Sequence, residues 1–396
     1  MLYGRYSTAI FFCVAFFLCG MSKLDSEIHA ALALTFIPGI GPNKAKNLIA
    51  FCGSAESIFR EKKRTLLKIP DIGPHTAKAL QNTDSYFHRA DLEMAFIKRF
   101  NIDVHFYYQD HYPQRLKQCD DSPVILFSKG GADLNAPRCV SVVGTRSATS
   151  YGKQLVLELL KSLQPFQPLV VSGLAYGVDI HAHRACLQLD LPTVACLAHG
   201  LDRIYPPSHH ETAKEMLEFG GLLTEFPSMT NPDRELFPTR NRIIAGISEC
   251  TVVVETDSKG GSIITANLAN SYGRDVFAYP GRVFDKHSKG CNDLIRSNTA
   301  AILTHPDEIV DCLGWSPEKK KTTTQMVLFS EFSTEEQLVV GVLREKRRLP
   351  LDKISHLTSL PLPRVSTLLL ELEFKGIVKS LPGMMYDLID SLTFEV

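Results

Sequence analysis

Between Arg138 and Trp315, short apolar runs alternate with helical stretches, and no other feature constrains the fold of this 396-residue chain as tightly. Cys139–Val143, Leu169–Ser172, Thr193–Leu197, Leu222–Glu225, Thr251–Glu255 and Asp275–Ala278 read as strands. Tyr151–Leu163, Val178–Leu189, His209–Phe219, Thr239–Ile247 and Ser262–Tyr272 read as the helices between them. Strands separated by helical crossovers imply an α/β fold with a largely parallel, doubly wound sheet. Ligands of such sheets sit outside the carboxyl ends of the strands. The glycine-, serine- and arginine-rich turns of the chain fall there.

Two similar units precede this region, Phe36–Ile49 and Ile69–Leu80. Each carries an apolar stretch, a tight Gly-Ile-Gly-Pro or Asp-Ile-Gly-Pro turn, and a helix with lysine in its first turns. The pattern predicts a tandem helix-hairpin-helix (SAM-like) domain over residues 22–84. Such hairpins offer helix N–H groups to a phosphate without reading bases. They serve equally well for packing in a docking domain. Nine basic against five acidic residues between Ser22 and Thr83 do not separate the two roles. Residues 85–137 read as a connecting region with a helix over Ala90–Phe100, an extended piece over Val104–Tyr108 and a strand over Pro123–Phe127. The main domain spans residues 138–315, and residues 316–333, with Lys319–Lys321, form a linker. Three helices, Thr334–Arg344, Leu351–Leu357 and Leu362–Phe374, and a hairpin around Pro382-Gly383 predict a winged helix over residues 334–396. From Ser316 onward eleven basic residues balance eleven acidic ones, so charge gives that domain no case for reading DNA.

Composition adds boundaries. Forty-three basic residues balance 43 acidic ones, so any nucleic-acid site must be a local patch. The 10 cysteines show no C-x-x-C spacing and read as reduced core thiols of a cytoplasmic protein. The run Thr8–Met21 is too short to span a membrane, which takes roughly 20 residues. It resembles a signal-peptide core but no A-x-A site follows it, and Leu18-Cys19-Gly20 suits a lipoprotein site poorly. Met21 is therefore read as the functional start, with no membrane partner.

The turns carry the chemistry. Gly144, Thr145 and Arg146 open a strand-to-helix turn running to Gly152, which suits a phosphate. It is not G-x-G-x-x-G, and no acidic residue closes the next strand to hold a ribose, so no nicotinamide cofactor is expected. Ser172 and Gly173 start a second turn; its His181 and His183, two apart, point to different helix faces and make no zinc pair. Gly200–Pro206 is a third loop with one cation, Arg203. The densest segment is Asp233–Gly246, where Arg234, Arg240 and Arg242 surround Phe237 and Asn241. Guanidinium to phosphate and ring to base fits single-stranded nucleic acid. The alternative is that Arg240 and Arg242 pair with carboxylates while Phe237 packs beneath the loop. Lys259, Gly260, Gly261 and Ser262 form a further anion cradle at a helix start. No Ser-His-Asp order, metal-ligand spacing or Walker A motif appears.

Ser141–Arg146, Ser172–Asp179, Phe237–Gly246, Gly260–Ala266 and Tyr279–Gly281 together resemble the bacterial DNA-processing protein A (DprA/Smf) family. The resemblance covers nearly everything after Met21. It implies an extended Rossmann domain between the helical hairpin domain and the winged helix. It also implies a non-enzymatic protein, without catalytic residues, metal or cofactor. Such proteins bind and protect single-stranded DNA arriving in natural transformation, load the recombinase RecA onto it, and dimerise through the Rossmann domain. The family's DNA-contacting arginine matches Arg146, and a basic residue three before a base-contacting aromatic matches Arg234 and Phe237. Lys259 and Arg240 enter only from the cradle reading. Asn298-Thr299 stands where the family usually has Gly-Ala, and Ala198-His199 precedes the Gly-Leu-Asp loop. The rival reading is a Rossmann enzyme cleaving nucleoside 5′-monophosphates, with Glu255 ahead of Gly260-Gly261 as its glutamate. The P-G-G-x-G-T arrangement of such enzymes is absent. A third reading is a docking scaffold with an inactive anion site.

Overall fold

The computed structural model describes residues 22–316, 325–328, 333–346, 348–375, 377–381, 384–388 and 392–395. The apolar run with its start at Met21, most of the linker and the Pro382-Gly383 turn lie outside the described residues. The chain divides into two compact units, one ending at Ser316 and the other beginning at Pro317.

The first unit opens with α1 (Lys23–Thr35), α2 (Pro42–Cys52), α3 (Ala55–Arg60), α4 (Lys63–Leu66) and α5 (Pro74–Ala79). Ser22 caps α1 through a reciprocal box with Asp25. The two hairpins superpose in backbone logic: Gly39 and Asp71 both take positive φ, Ile40 and Ile72 are both buried, and Pro42 and Pro74 both start a helix. Their surroundings differ. The first hairpin and α1 line an apolar cavity of about 230 Å³ together with Pro123 and Val124 ahead of the second sheet strand and Phe226 from the main domain. Lys46 of α2 donates to the Asp120 carbonyl and, at 3.2 Å, to Ser122 Oγ. The second hairpin keeps Pro74, His75 and Lys78 exposed. A sixth helix, α6 (Asp84–Phe100), starts six residues before the helix read from sequence and packs on α1. Its buried Glu93 accepts from Ser228 N–H at 2.9 Å and Ser228 Oγ at 2.6 Å, tying the helical domain to the main one.

The sheet holds β1 (Asp103–Phe106), β2 (Ile125–Gly130), β3 (Cys139–Val143), β4 (Leu169–Ser172), β5 (Thr193–Cys196), β6 (Gly221–Thr224), β7 (Cys250–Val253), β8 (Asp275–Ala278) and β9 (Ala301–Ile302). Their order is β1-β2-β6-β5-β4-β3-β7-β8-β9. From β6 to β9 every neighbouring pair is parallel. The connecting-region strands β1 and β2 extend the sheet antiparallel at one edge. A short helix, α7 (Gln114–Lys117), lies between them in sequence. The crossovers are α8 (Ser150–Leu163), α9 (Val178–Gln188), α10 (His210–Phe219), α11 (Leu236–Ile247), α12 (Gly261–Ser271) and α13 (Lys286–Arg296), and α14 (Asp307–Leu313) follows the last strand. Val156 and Leu159 of α8 and Val178 and Ala182 of α9 pack on one sheet face. Ile243 of α11, Ala266 of α12 and Leu294 of α13 pack on the other. β3, β4, β5, β7 and β8 are buried along nearly their whole length, which is why they read as unbroken apolar runs. Asn298 takes φ 55°, a left-handed conformation that asparagine tolerates better than most residues other than glycine.

The second unit contains α15 (Thr334–Glu345), α16 (Leu351–Thr358) and α17 (Leu362–Phe374). It also holds β10 (Gln325–Leu328), β11 (Leu349–Pro350), β12 (Val378–Leu381), β13 (Met385–Leu388) and β14 (Leu392–Glu395). The three helices share a core with β12 and β13, which pair antiparallel with β11 alongside. This is the winged helix expected.

Candidate nucleic-acid interface

The loops at the carboxyl edge of the parallel strands bring the selected residues together unequally. The turn after β3 is not an open phosphate cradle. Glu255, 4% exposed and two residues past β7, fills it. Its carboxylate accepts from Thr149 N–H at 2.9 Å and Thr149 Oγ at 2.5 Å, and its carbonyl accepts from Thr145 N–H at 2.6 Å. A carboxylate there satisfies donors at the start of α8 and meets the positive end of the helix dipole. Gly152 makes room for it, since a Cβ at that position would stand 2.2 Å from Glu255 Oε2. This crevice between β3 and β7 is where strand order reverses and where a Rossmann nucleotide would lie. The protein's own carboxylate occupies it: Glu255 caps the start of α8, and Gly144 leaves room for the Val178 side chain.

The arginine-rich segment splits in two. Arg242 turns inward, 7% exposed, pairing with Glu225 and donating to the Asp121 carbonyl. Burial pushes the Glu225 carboxyl up to about 7 against the pull of Arg242, and its second oxygen is buried without a partner. Arg240, 3% exposed, donates to the carbonyls of Gly173, at 2.6 Å, and Cys196. It thus ties the ends of β4 and β5. Burial lowers the Arg240 pKa while neighbouring Asp179 holds the charge. A Cβ at residue 173 would stand 2.3 Å from the Arg240 guanidinium, which accounts for Gly173. The expectation that Arg240 and Arg242 face a phosphate is corrected: their charges are spent inside. Ser172 and Ser262 are buried too. Ser172 Oγ donates to the Val142 carbonyl at 2.6 Å, and Ser262 Oγ to Thr256 Oγ1 at 2.7 Å.

What remains outside is coherent. Arg146 is exposed, and its guanidinium carbon lies 5.2 Å from the Phe237 ring centroid. Arg240 lies 5.9 Å from the same ring. Tyr205, 45% exposed, meets Phe237 edge-on with centroids 6.2 Å apart. Tyr205 was not singled out from sequence; its loop was noted only for Arg203, which pairs with Asp202 at 2.7 Å. Arg234 is exposed three residues before Phe237, and Lys259 is exposed just before Gly260-Gly261. Asn241 Nδ2 donates to the Gly261 carbonyl at 3.4 Å, joining the middle of α11 to the start of α12. A guanidinium stacked on a ring keeps its N–H edge free for a phosphate. His183 is a core residue, held neutral by burial with its pKa near 3 and bonded to Thr193 Oγ1 at 2.7 Å. Among the described residues no group of three metal-ligating side chains occurs. Nor is any described helix long and apolar enough to cross a membrane.

A family model described as DNA recombination-mediator protein A matches residues 103–314, more than half of the chain. The chain belongs to the DNA recombination-mediator protein A family. A SAM-like helix-hairpin-helix tandem matches residues 31–83, and a DprA winged helix domain matches residues 331–384. Protein Smf of Synechocystis sp. is 28% identical over 409 residues, covering 91% of this chain and 99% of that protein. The crystal structure of DNA processing protein A from Streptococcus pneumoniae aligns with TM-score 0.60 and 28% identity, covering 74% of this chain and 98% of that one. A structure of DNA processing protein A from Helicobacter pylori, described for its single-stranded DNA binding mode, aligns with TM-score 0.50 and 28% identity over 55% of this chain and 98% of that one. Family members are DNA-processing proteins by name.

Proposed function

We propose that the carboxyl edge of the sheet binds single-stranded DNA without reading its sequence. The observation that carries this is the Arg146–Phe237 stack: a cation and an aromatic face in contact, with Arg234 exposed three residues before Phe237 and Lys259 exposed just ahead of α12. Phosphates pair with Arg146, Arg234 and Lys259, and a base stacks on Phe237 with Tyr205 at its edge. The inward pair Arg240 and Arg242 holds the loops in place. Single-strand binding by the Helicobacter pylori relative supports the same assignment. The role is non-enzymatic: the protein protects incoming DNA in natural transformation and loads RecA onto it, acting in the cytoplasm as a homodimer joined through the α/β domain. The filled crevice at Glu255 speaks against nucleotide cleavage.

A gel shift comparing single with double strands at matched salt tests the binding; equal affinity for both would overturn it, because duplex hides the base faces Phe237 needs. RecA filament growth on strands coated with single-strand-binding protein tests the loading. Growth should quicken when this protein is added, and an unchanged rate would reject that role.

A further inference from the structure

Beside the stacked pair lies an open concavity of about 430 Å³ whose lining includes Arg146, Lys153, Tyr176, His181 and Arg184. No carboxylate is among its lining residues. Lys153 comes from the first turns of α8, while His181 and Arg184 are one turn apart on α9 and so share a face. Lys153 and Arg184 are exposed and make no ion pair with any described residue; Arg184 Nε donates only to Thr212 Oγ1, at 3.3 Å. The His181 pKa is lowered by burial and then by Lys153, Arg184 and His209, so the ring already sits in a positive field. Three fixed cations around one cavity repel each other unless an anion joins them. Tyr176, half-exposed, supplies a ring and a hydroxyl on the wall.

We propose that this concavity is a terminal-phosphate site, holding the phosphomonoester at the end of a DNA strand whose neighbouring nucleotides run over the Arg146–Phe237 platform. A terminal phosphate carries about −1.5 to −2 charge and three acceptor oxygens near neutral pH, against −1 for an internal diester. It therefore suits a cluster of three cations, and the concavity opens to solvent as a strand end requires. Arg146 belongs to both sites and links them. This inference rests on single-strand binding at the platform, and it adds that the protein distinguishes strands by their ends.

The test is fluorescence anisotropy with a labelled oligonucleotide of about six nucleotides, within the span of one single-strand site. It is made with a 5′-phosphate, with a 3′-phosphate, and with hydroxyls at both ends. One phosphorylated form should bind the wild-type protein roughly tenfold tighter than the hydroxyl form, as charge-assisted contacts allow. A Lys153→Ala/Arg184→Ala double variant should lose that gain while holding the hydroxyl form within about twofold of wild type and keeping its melting temperature. Equal binding of all three oligonucleotides would overturn the strand-end site while leaving the platform standing. A gain that survives the double variant would do the same. A deoxynucleoside monophosphate that competes as well as the phosphorylated strand would assign the pocket to free nucleotides instead, and overturn the strand-end reading. A wild-type protein that binds none of the oligonucleotides would sink the platform and the end site together.

Discussion

Four arginines stand within or beside the same edge of the sheet, and they divide into an outer and an inner pair. Arg146 and Arg234 are exposed and without an ion pair among the described residues, whereas Arg240 and Arg242 are buried against carbonyls and Glu225. The residue type is identical, and Arg234, Arg240 and Arg242 lie within nine positions, yet one pair is available to a ligand and the other is structural. What separates them is position in the helix. Residues 240 and 242 lie within α11 and reach different buried partners, the Gly173 and Cys196 carbonyls and Glu225, while Arg234 precedes the helix and Arg146 lies in a loop. The two helical hairpins show the same division. Lys46 of the first is drawn into contacts with Asp120 and Ser122, and Lys78 of the second stays exposed.

The largest expected effect comes from breaking the inner pair. Arg242→Ala strands Glu225 in a buried site and should lower stability by about 3–5 kcal/mol. Denaturant unfolding measures this. A loss below about 1 kcal/mol would mean that Arg242 is as dispensable to the fold as an exposed ion pair.

On the outer side, Phe237→Ala should cost about 1–3 kcal/mol of single-strand affinity through lost stacking. Its unfolding midpoint should stay close to wild type. A variant that binds normally but melts early would make Phe237 a packing residue like those beneath it.

A pH effect sharpens the inner side. Burial raises the Glu225 carboxyl from its ordinary 4.5 to about 7, so the folded state keeps this proton where the unfolded chain has released it. The stabilisation is full below the ordinary value and fades as pH rises through about 7. Glu225→Gln cannot ionise, so the fall in stability between those pH values should flatten. Melting temperatures of both proteins across that range check it, and parallel curves would show that Glu225 stays ionised in the fold.

Much of this was legible in the sequence. Strand β3, strand β4 and helix α17 fall where apolar periodicity and turn residues place them, because buried parallel strands and a periodic helix leave strong patterns. Helix α13 was missed because it is polar overall, with only Cys291, Leu294 and Ile295 to mark its apolar face. The antiparallel strand β2 was seen, but not its partnership with β6, which is non-local. For the proposed site, motif and resemblance point to Arg146, Arg234 and Phe237. Pattern alone could not separate the outer arginines from the inner ones, because burial depends on which carboxylate or carbonyl the fold brings near. Nor could it show that Glu255, 106 residues from Thr149, fills the first turn. Lys153, His181 and Arg184 had a weak signal, a lysine one turn into α8 and an i, i+3 basic pair on α9, which gains meaning only once the two helices stand side by side.

Salt dependence tests the outer pair most directly. Affinity for a single strand should be measured across a salt series for wild type, Arg146→Ala, Arg234→Ala and Phe237→Ala, with melting temperatures alongside. Each arginine variant should reduce the log–log slope by roughly 0.7, the value for one lost phosphate contact on a single strand. Phe237→Ala should weaken binding with nearly the wild-type slope. If both arginine variants kept the wild-type slope, even with weaker binding, Arg146 and Arg234 would not be phosphate contacts, and the division between outer and inner arginines would fail.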